Sequence, residues 1–146
     1  MQIPKVIGGD IELGNFLVGV EIGGGTGAVA AKALLDEIDG VPTGSTNGPL
    51  RFESAIRGGA GWNSCDWGRK YLPTSAGCVY VDSNHLEACL PCTRDAWSHV
   101  AHFHAMLRLV QDARRAACAR LAEGVTLEVL ANTSDGHGAS YGAHLD

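Results

Sequence analysis

The sequence predicts an α+β fold, a mainly antiparallel sheet with a long helix packed on one face. Two observations carry this. Val6–Gly14, Cys78–Asp82 and Val125–Leu130 read as strands, rich in aliphatic and β-branched residues. Arg94–Leu121 reads as one long helix whose apolar stripe needs a sheet to cover. The 146 residues suffice for a single domain with a real core, and 45% hydrophobic against 18% charged residues is ordinary for a folded chain.

In the first strand, Asp10 and Glu12 are two residues apart, so both project from the same face. Two carboxylates there repel each other unless they are solvated or hold a cation. Phe16–Ile22 reads as a second strand. The glycine turn Gly23–Gly25 follows, then a helix over Thr26–Ile38 with the stripe Ala28, Val29, Ala33, Leu34 and Ile38. Thr43–Gly77 is polar, glycine-rich and poorly periodic, so a long loop is expected, with a short strand at Leu50–Phe52.

Cys78–Asp82 is a strand ending on an acid, after which a short turn is expected to deliver His85 and Glu87. Thr93 is the expected N-cap of the long helix, with Asp95 in its first turn. Trp97, Val100, Ala101, His104, Leu107 and Val110 outline the expected buried face, where His104 reads as a hydrogen-bonded core histidine. Gly124 stops the helix, and a polar, glycine-rich run from Asn132 to Asp146 follows the last strand.

The net charge of −5 argues against nucleic acid as a partner, and Arg114, Arg115 and Arg120 read as a solvated helix face. There is no apolar run of membrane-spanning length. Five cysteines, an odd number, without a secretory signal point to reduced thiols and a cytoplasmic location.

Four motifs invite chemistry. The glycines of Glu21–Ala28 could cradle a phosphate, but no Walker lysine follows, and a plain glycine turn is the better account. Cys89 and Cys92 form a CxxC pair with His85 nearby; without a second pair, buried free cysteines explain them better than zinc. Asp82, His85 and Glu87 suit a Mg²⁺ site or a carboxylate acting as base or nucleophile, although spacing alone favours a solvated turn. The last run, with Ser140, Tyr141 and His144, is too dense in polar and glycine residues to be routine.

Three segments together resemble the Pup–protein ligase and depupylase/deamidase family, the proteasome accessory factor A family, whose fold is glutamine synthetase-like. The first is Gly8-Gly-Asp10-Ile-Glu12-Leu-Gly14, against a family strand with two alternating acids. The second is Tyr80-Val-Asp82, followed by His85-Leu-Glu87-Ala-Cys-Leu-Pro91-Cys92. The third is Ser134-Asp135 through Ser140-Tyr141-Gly142-Ala-His144-Leu-Asp146. The order is the family's, and the motifs span nearly the whole chain. Asp10, Leu86, Cys92 and Leu145 depart from the family's residues at those places.

The resemblance implies ATP and Mg²⁺ as cofactors. It implies Asp10, Glu12 and Glu87 as metal ligands, and Ser140, Tyr141 and His144 beside the nucleotide. Asp82 matches the catalytic aspartate, a base in ligation or a nucleophile in isopeptide hydrolysis. The implied partners are a small ubiquitin-like modifier protein and a lysine-bearing target. In ligation, the modifier's C-terminal glutamate is phosphorylated by ATP and then attacked by the lysine. Because family members continue well beyond Asp146, residues 1–146 are expected to be the N-terminal portion of one catalytic domain. Such a portion would work with a complementing C-terminal chain or as a homo-oligomer. Two other readings stay open: a non-catalytic binding or assembly module that keeps the fold, and a small zinc-binding protein.

Overall fold

A computed structural model describes residues 5–21, 23, 25–42, 67–134, 138 and 140–146. Seven strands form one sheet. They are β1 (Ile7–Val18), β2 (Val41–Pro42), β3 (Trp67–Leu72), β4 (Gly77–Asp82), β5 (His85–Thr93), β6 (Thr126–Leu130) and β7 (Ala143–Leu145). The spatial order is β2-β3-β4-β5-β1-β6, with β7 also paired to β1, and every pairing is antiparallel. Helices α1 (Gly27–Asp36) and α2 (Ala96–Cys118) pack on the sheet. The α+β class and the shared sheet of the three main strands are as the sequence predicts.

Alternation along the strands divides the sheet into two faces. Ile11, Leu13, Val79, Val81, Leu86, Ala88 and Leu90 are buried in a core with Leu34 and Leu35 of α1 and Met106 and Val110 of α2. Their strand neighbours Asp10, Glu12, Tyr80, Asp82, Glu87 and Cys89 therefore project to the other face.

Several elements differ from the expectations. The two separate strands expected over Val6–Gly14 and Phe16–Ile22 are one continuous β1. Gly14 and Asn15 do not break it because Gly14 pairs with Leu130 and Asn15 with Val129. Asn15 is buried, and its amide donates to the carbonyls of Gly27 (2.7 Å) and Asn84 (3.0 Å) while its Oδ1 accepts from the Leu86 N–H (2.8 Å). The expected loop over Thr43–Gly77 contains β3. Its alternation is hidden by a bulge between Trp67 and Lys70, where Gly68 has φ +69°. The short strand expected at Leu50–Phe52 lies outside the described residues.

His85 and Glu87 are not on a turn. The turn is only Ser83–Asn84, both at positive φ (47° and 78°), and it closes a tight β4–β5 hairpin in which Asp82 pairs with His85.

The long helix begins later than expected, and its cap is Asp95 rather than Thr93. The Asp95 carboxylate accepts from the Ser98 N–H and hydroxyl, both at 2.8 Å. Its buried stripe is Met106, Val110, Ala113 and Ala117, whereas Trp97 is 86% exposed and His104 is also exposed. Trp97, Val100 and His104 lie on the outer side of the first turns, whereas the His99 ring of the same turns sits over Gly9 of β1, so the core role expected for Trp97, Val100 and His104 is not met. The helix arginines are paired with acids: Arg114 with Glu128 (2.8 Å), Arg115 with Asp112 (3.2 Å) and Arg120 with Glu37 (3.0 Å). No helix among the described residues is long and apolar enough to cross a membrane.

Asn15 ties β1, the start of α1 and the β4–β5 turn at one point. Replacing it by alanine leaves the buried Leu86 N–H without its partner, at about 1–3 kcal/mol, and removes two part-buried hydrogen bonds to the carbonyls of Gly27 and Asn84. Asn15→Ala should lower stability by roughly 2–3 kcal/mol. Urea denaturation measures this, and a loss well under 1 kcal/mol would show that the clamp contributes little.

Candidate functional site

The candidate site lies on the face of the sheet away from the helices, where three strands bring acids together by register. Glu12 of β1 pairs directly with Glu87 of β5, which in turn pairs with Tyr80 of β4. Asp82 stands two residues along β4, at the hairpin end. Oxygens of Glu12, Asp82 and Glu87 all lie within 4.8 Å of one another. A second group within the same limit joins Asp10 and Glu87 to the Cys89 sulfur, so Glu87 is common to both.

Like charges directly opposed on a sheet destabilise it, and the surroundings show how this is managed. Glu87 is only 6% exposed and accepts a short hydrogen bond from the Tyr80 hydroxyl. Burial raises its pKa; the Tyr80 bond opposes that rise, and Asp10, Glu12 and Asp82 add to it. Burial likewise pushes the Tyr80 hydroxyl up, with the Glu87 bond next in effect. Asp82 accepts from the Ser83 hydroxyl at 3.0 Å.

The end of the chain folds back over the N-terminal strand. β7 pairs Asp10 with His144, and the His144 Nδ1 lies 2.6 Å from the Asp10 Oδ1. That hydrogen bond, then the Asp10 charge, raises the His144 pKa. The Gly142 N–H donates to the Glu12 Oε2 at 2.7 Å. The Tyr141 ring packs 4.5 Å from the His85 ring, and its hydroxyl donates to Asn132 Oδ1 (2.9 Å) and the Ser134 carbonyl (3.0 Å). Gly14 lies under that hydroxyl, where any Cβ would collide with it. His85 Nδ1 is buried without a hydrogen-bond partner, 4.0 Å from the Glu12 Oε2. An orphaned ring nitrogen facing a carboxylate cluster suits a site made to hold a cation.

The structure thus gathers Asp10, Glu12, Asp82, Glu87 and His144 on one face, although they are far apart in sequence. Ser140 is exposed on the returning segment, and Tyr141 is engaged in holding that segment in place. The CxxC pair does not act as a unit. Cys89 joins Asp10 and Glu87, and among the described residues Cys92 belongs to no possible metal-holding group. On an extended strand, residues three apart diverge, so the zinc reading through this pair is not supported. The glycines at 23 and 25 are exposed, with open space where a Cβ would stand.

Sequence reasoning missed Arg69, whose guanidinium lies 3.9 Å from the centre of the Tyr80 ring and donates to the Cys78 Sγ at 2.8 Å. It sits in the segment taken for a loop, and no motif marks it. A cavity of about 790 Å³ opens elsewhere, between the end of α1, the β3–β4 turn and α2. It is lined by residues such as Leu72, Met106 and Leu109 and contains none of the clustered acids. The clustered acids make the other face of the sheet the candidate site.

A twisted antiparallel sheet carrying acids on one face and helices on the other is a glutamine synthetase-like arrangement. The chain belongs to the Pup-ligase protein family, whose model matches residues 21–145. It is similar in fold to the ligase in the crystal structure of the complex between prokaryotic ubiquitin-like protein Pup and its ligase PafA. The TM-score is 0.66 at 14% identity, and the match covers 96% of this chain and 24% of that one. The chain therefore spans about a quarter of that ligase. No curated protein matches it by sequence.

The raised Glu87 pKa has a definite sign for stability. A carboxyl that is harder to ionise when folded destabilises the metal-free chain as pH rises through its raised value, and costs nothing below its unfolded value of about 4.3. Glu87→Gln keeps an acceptor for Tyr80 and removes the charge. In metal-free buffer it should melt a few degrees higher than the parent at neutral pH, with the gap closing toward acid. A variant that is less stable at neutral pH would show that Glu87 is not under this electrostatic strain.

Proposed function

We propose that the chain forms the metal-binding edge of an ATP- and Mg²⁺-dependent carboxylate–amine ligase that joins Pup to a lysine of a target protein. The supporting observation is the convergence of Glu12, Asp82 and Glu87 from three strands to within 4.8 Å, beside an unpartnered His85 nitrogen. Clustered oxygens on a half-buried face suit a hard cation such as Mg²⁺, and an isolated cluster of this kind is strained without one.

On this reading Glu12 and Glu87 hold Mg²⁺, with Asp10 beside them. When bound, the ion neutralises phosphate charge during transfer to the Pup carboxylate. Glu12 is oriented by the Gly142 N–H, and Asp10 by His144. The raised pKa of His144 favours its charged form, which suits an exposed group offering its other ring nitrogen to a phosphate. Asp82, partly exposed at the hairpin end, takes the proton of the incoming lysine amine. The same carboxylate suits hydrolysis of the isopeptide bond by nucleophilic attack. The remaining nucleotide contacts come from further residues of the same enzyme or from a complementing chain. The cytoplasm, where thiols stay reduced, is the compartment this reading assigns.

The test is thermal melting with and without Mg²⁺, followed by a ligation assay with Pup, ATP and a candidate C-terminal portion. Saturation to a hundred times Kd should stabilise the parent by about 2.7 kcal/mol. Glu12→Gln should lose most of that gain. Asp82→Asn should abolish conjugation, the loss of a general base being roughly a factor of 10²–10⁴. A Mg²⁺ response undiminished in Glu12→Gln would refute the metal assignment.

A further inference from the structure

Two cysteines face each other beside the acids and have no part in the proposed reaction. Cys78 of β4 and Cys89 of β5 are register partners, so their side chains leave the hairpin on the same side. Directly opposed residues of an antiparallel pair have Cα atoms about 4.5–5.5 Å apart, within the span a disulfide bridges. The two are not equivalent, because the Arg69 guanidinium donates to the Cys78 Sγ at 2.8 Å. A guanidinium at the sulfur favours the thiolate, which is the nucleophile in thiol oxidation. Cys89 has no such cation in contact among the described residues; its Sγ lies beside the Tyr80 hydroxyl and Glu87. Both are partly exposed. Cys118 differs, being tied to the backbone of Leu127 through both its N–H (3.4 Å) and its carbonyl (3.7 Å).

We propose that Cys78 and Cys89 form an oxidation site at which a peroxide closes a reversible disulfide across the β4–β5 hairpin. The Cys78 thiolate attacks a peroxide oxygen; the S–O bond forms, the O–O bond breaks, and the departing hydroxide takes back from solvent the proton the thiol had released, so one water leaves. The Cys89 sulfur gives up its proton and attacks the sulfenic sulfur; the S–S bond forms and the second water leaves. Two thiols are oxidised by two electrons, and hydrogen peroxide is reduced to two waters. The bridge needs no shift of register, only rotation of the two side chains.

The site adjoins the acids, since the Cys89 Sγ lies 3.9 Å from the Glu87 Oε1 and 3.8 Å from the Tyr80 hydroxyl. Closing the bridge removes a negative charge at the sulfur that Arg69 faces, so the surroundings of the neighbouring carboxylates become less negative. The bridged form therefore binds Mg²⁺ more weakly; this consequence, unlike the bridge itself, rests on the Mg²⁺ reading above.

The test is peptide mapping by mass spectrometry, without reduction, of the whole chain exposed to hydrogen peroxide under native conditions. A Cys78–Cys89 cross-link is expected, reversed by a thiol reductant. In Cys89→Ser the cross-link is lost and a sulfenic acid is trapped at Cys78 by a dione reagent. Arg69→Gln slows bridging about tenfold, the effect of one unit of thiol acidity. Cross-links to other cysteines only, or both thiols still open to alkylation after treatment, would overturn the proposal, and the parent chain alone suffices to see either. Mg²⁺ melting before and after oxidation reads the coupling separately. A bridge that forms without weakening the Mg²⁺ response leaves the oxidation site standing and removes its effect on the metal.

Discussion

Everything on the acid face depends on the register of β1 against β5. Side chains alternate along a strand, so a slip of one residue would turn Asp10 and Glu12 into the core and Ile11 and Leu13 into solvent. Asn15 holds that register. At Asn15, β1, the first turn of α1 and the β4–β5 hairpin are joined through a single buried side chain, with each of these three hydrogen bonds to backbone. A buried amide is tolerable only when satisfied, and satisfaction demands all three partners at once. That makes it a specifier of alignment as well as a source of stability. Lys70 does comparable work on the core side, where its ammonium reaches the carbonyls of Leu35 and Ile38 at the end of α1.

Given that register, the electrostatics of the face follow. Four acids and a tyrosine are crowded by the pairing of three strands, and the crowding is relieved in different ways. Glu87 is relieved by Tyr80 and by its reluctance to ionise, Asp10 by His144, and Glu12 by the Gly142 N–H. None of these partners supplies a full compensating charge to the Glu12–Glu87 pair, which is the place a divalent cation would occupy.

Much of this was legible in the sequence because strand periodicity reports faces directly. Asp10 and Glu12 had to share a side, and Tyr80, Asp82 and Glu87 had to fall near one another once β4 and β5 paired. What was not legible came from tertiary contacts that no local pattern carries. Gly14 and Asn15 look like a break, yet they continue a strand because Tyr141 and three distant backbone groups require those two residues there. Ser83–Asn84 lacks the glycine of a common hairpin turn, so the residues of β5 read as a turn and not as a strand. Trp97 and Val100 match a helical stripe but lie on the outer side of the helix, the side that meets the sheet being the one that carries His99 and Met106. Arg69 was hidden by the bulge at Gly68, whose irregularity erases the alternation that would mark a strand. The structure also supports the family resemblance most directly where its motifs meet, at β1, β5 and β7.

The return of the last residues onto β1 bears on the order in which the molecule assembles. The hairpins β3–β4 and β4–β5 and both helices form from neighbours in sequence, whereas the Asp10–His144 contact joins residues 134 apart. Closing a loop of that length costs roughly 2.3 kcal/mol more than closing one of ten residues. Long-range pairing of this kind is favoured only after the shorter loops have shut. The sheet and core can thus be complete while Glu12 still lacks its Gly142 donor and Asp10 its histidine. Assembly of the acid face is a docking event on a finished scaffold, and its timing is set by the segment that carries Gly142 and His144 rather than by the core.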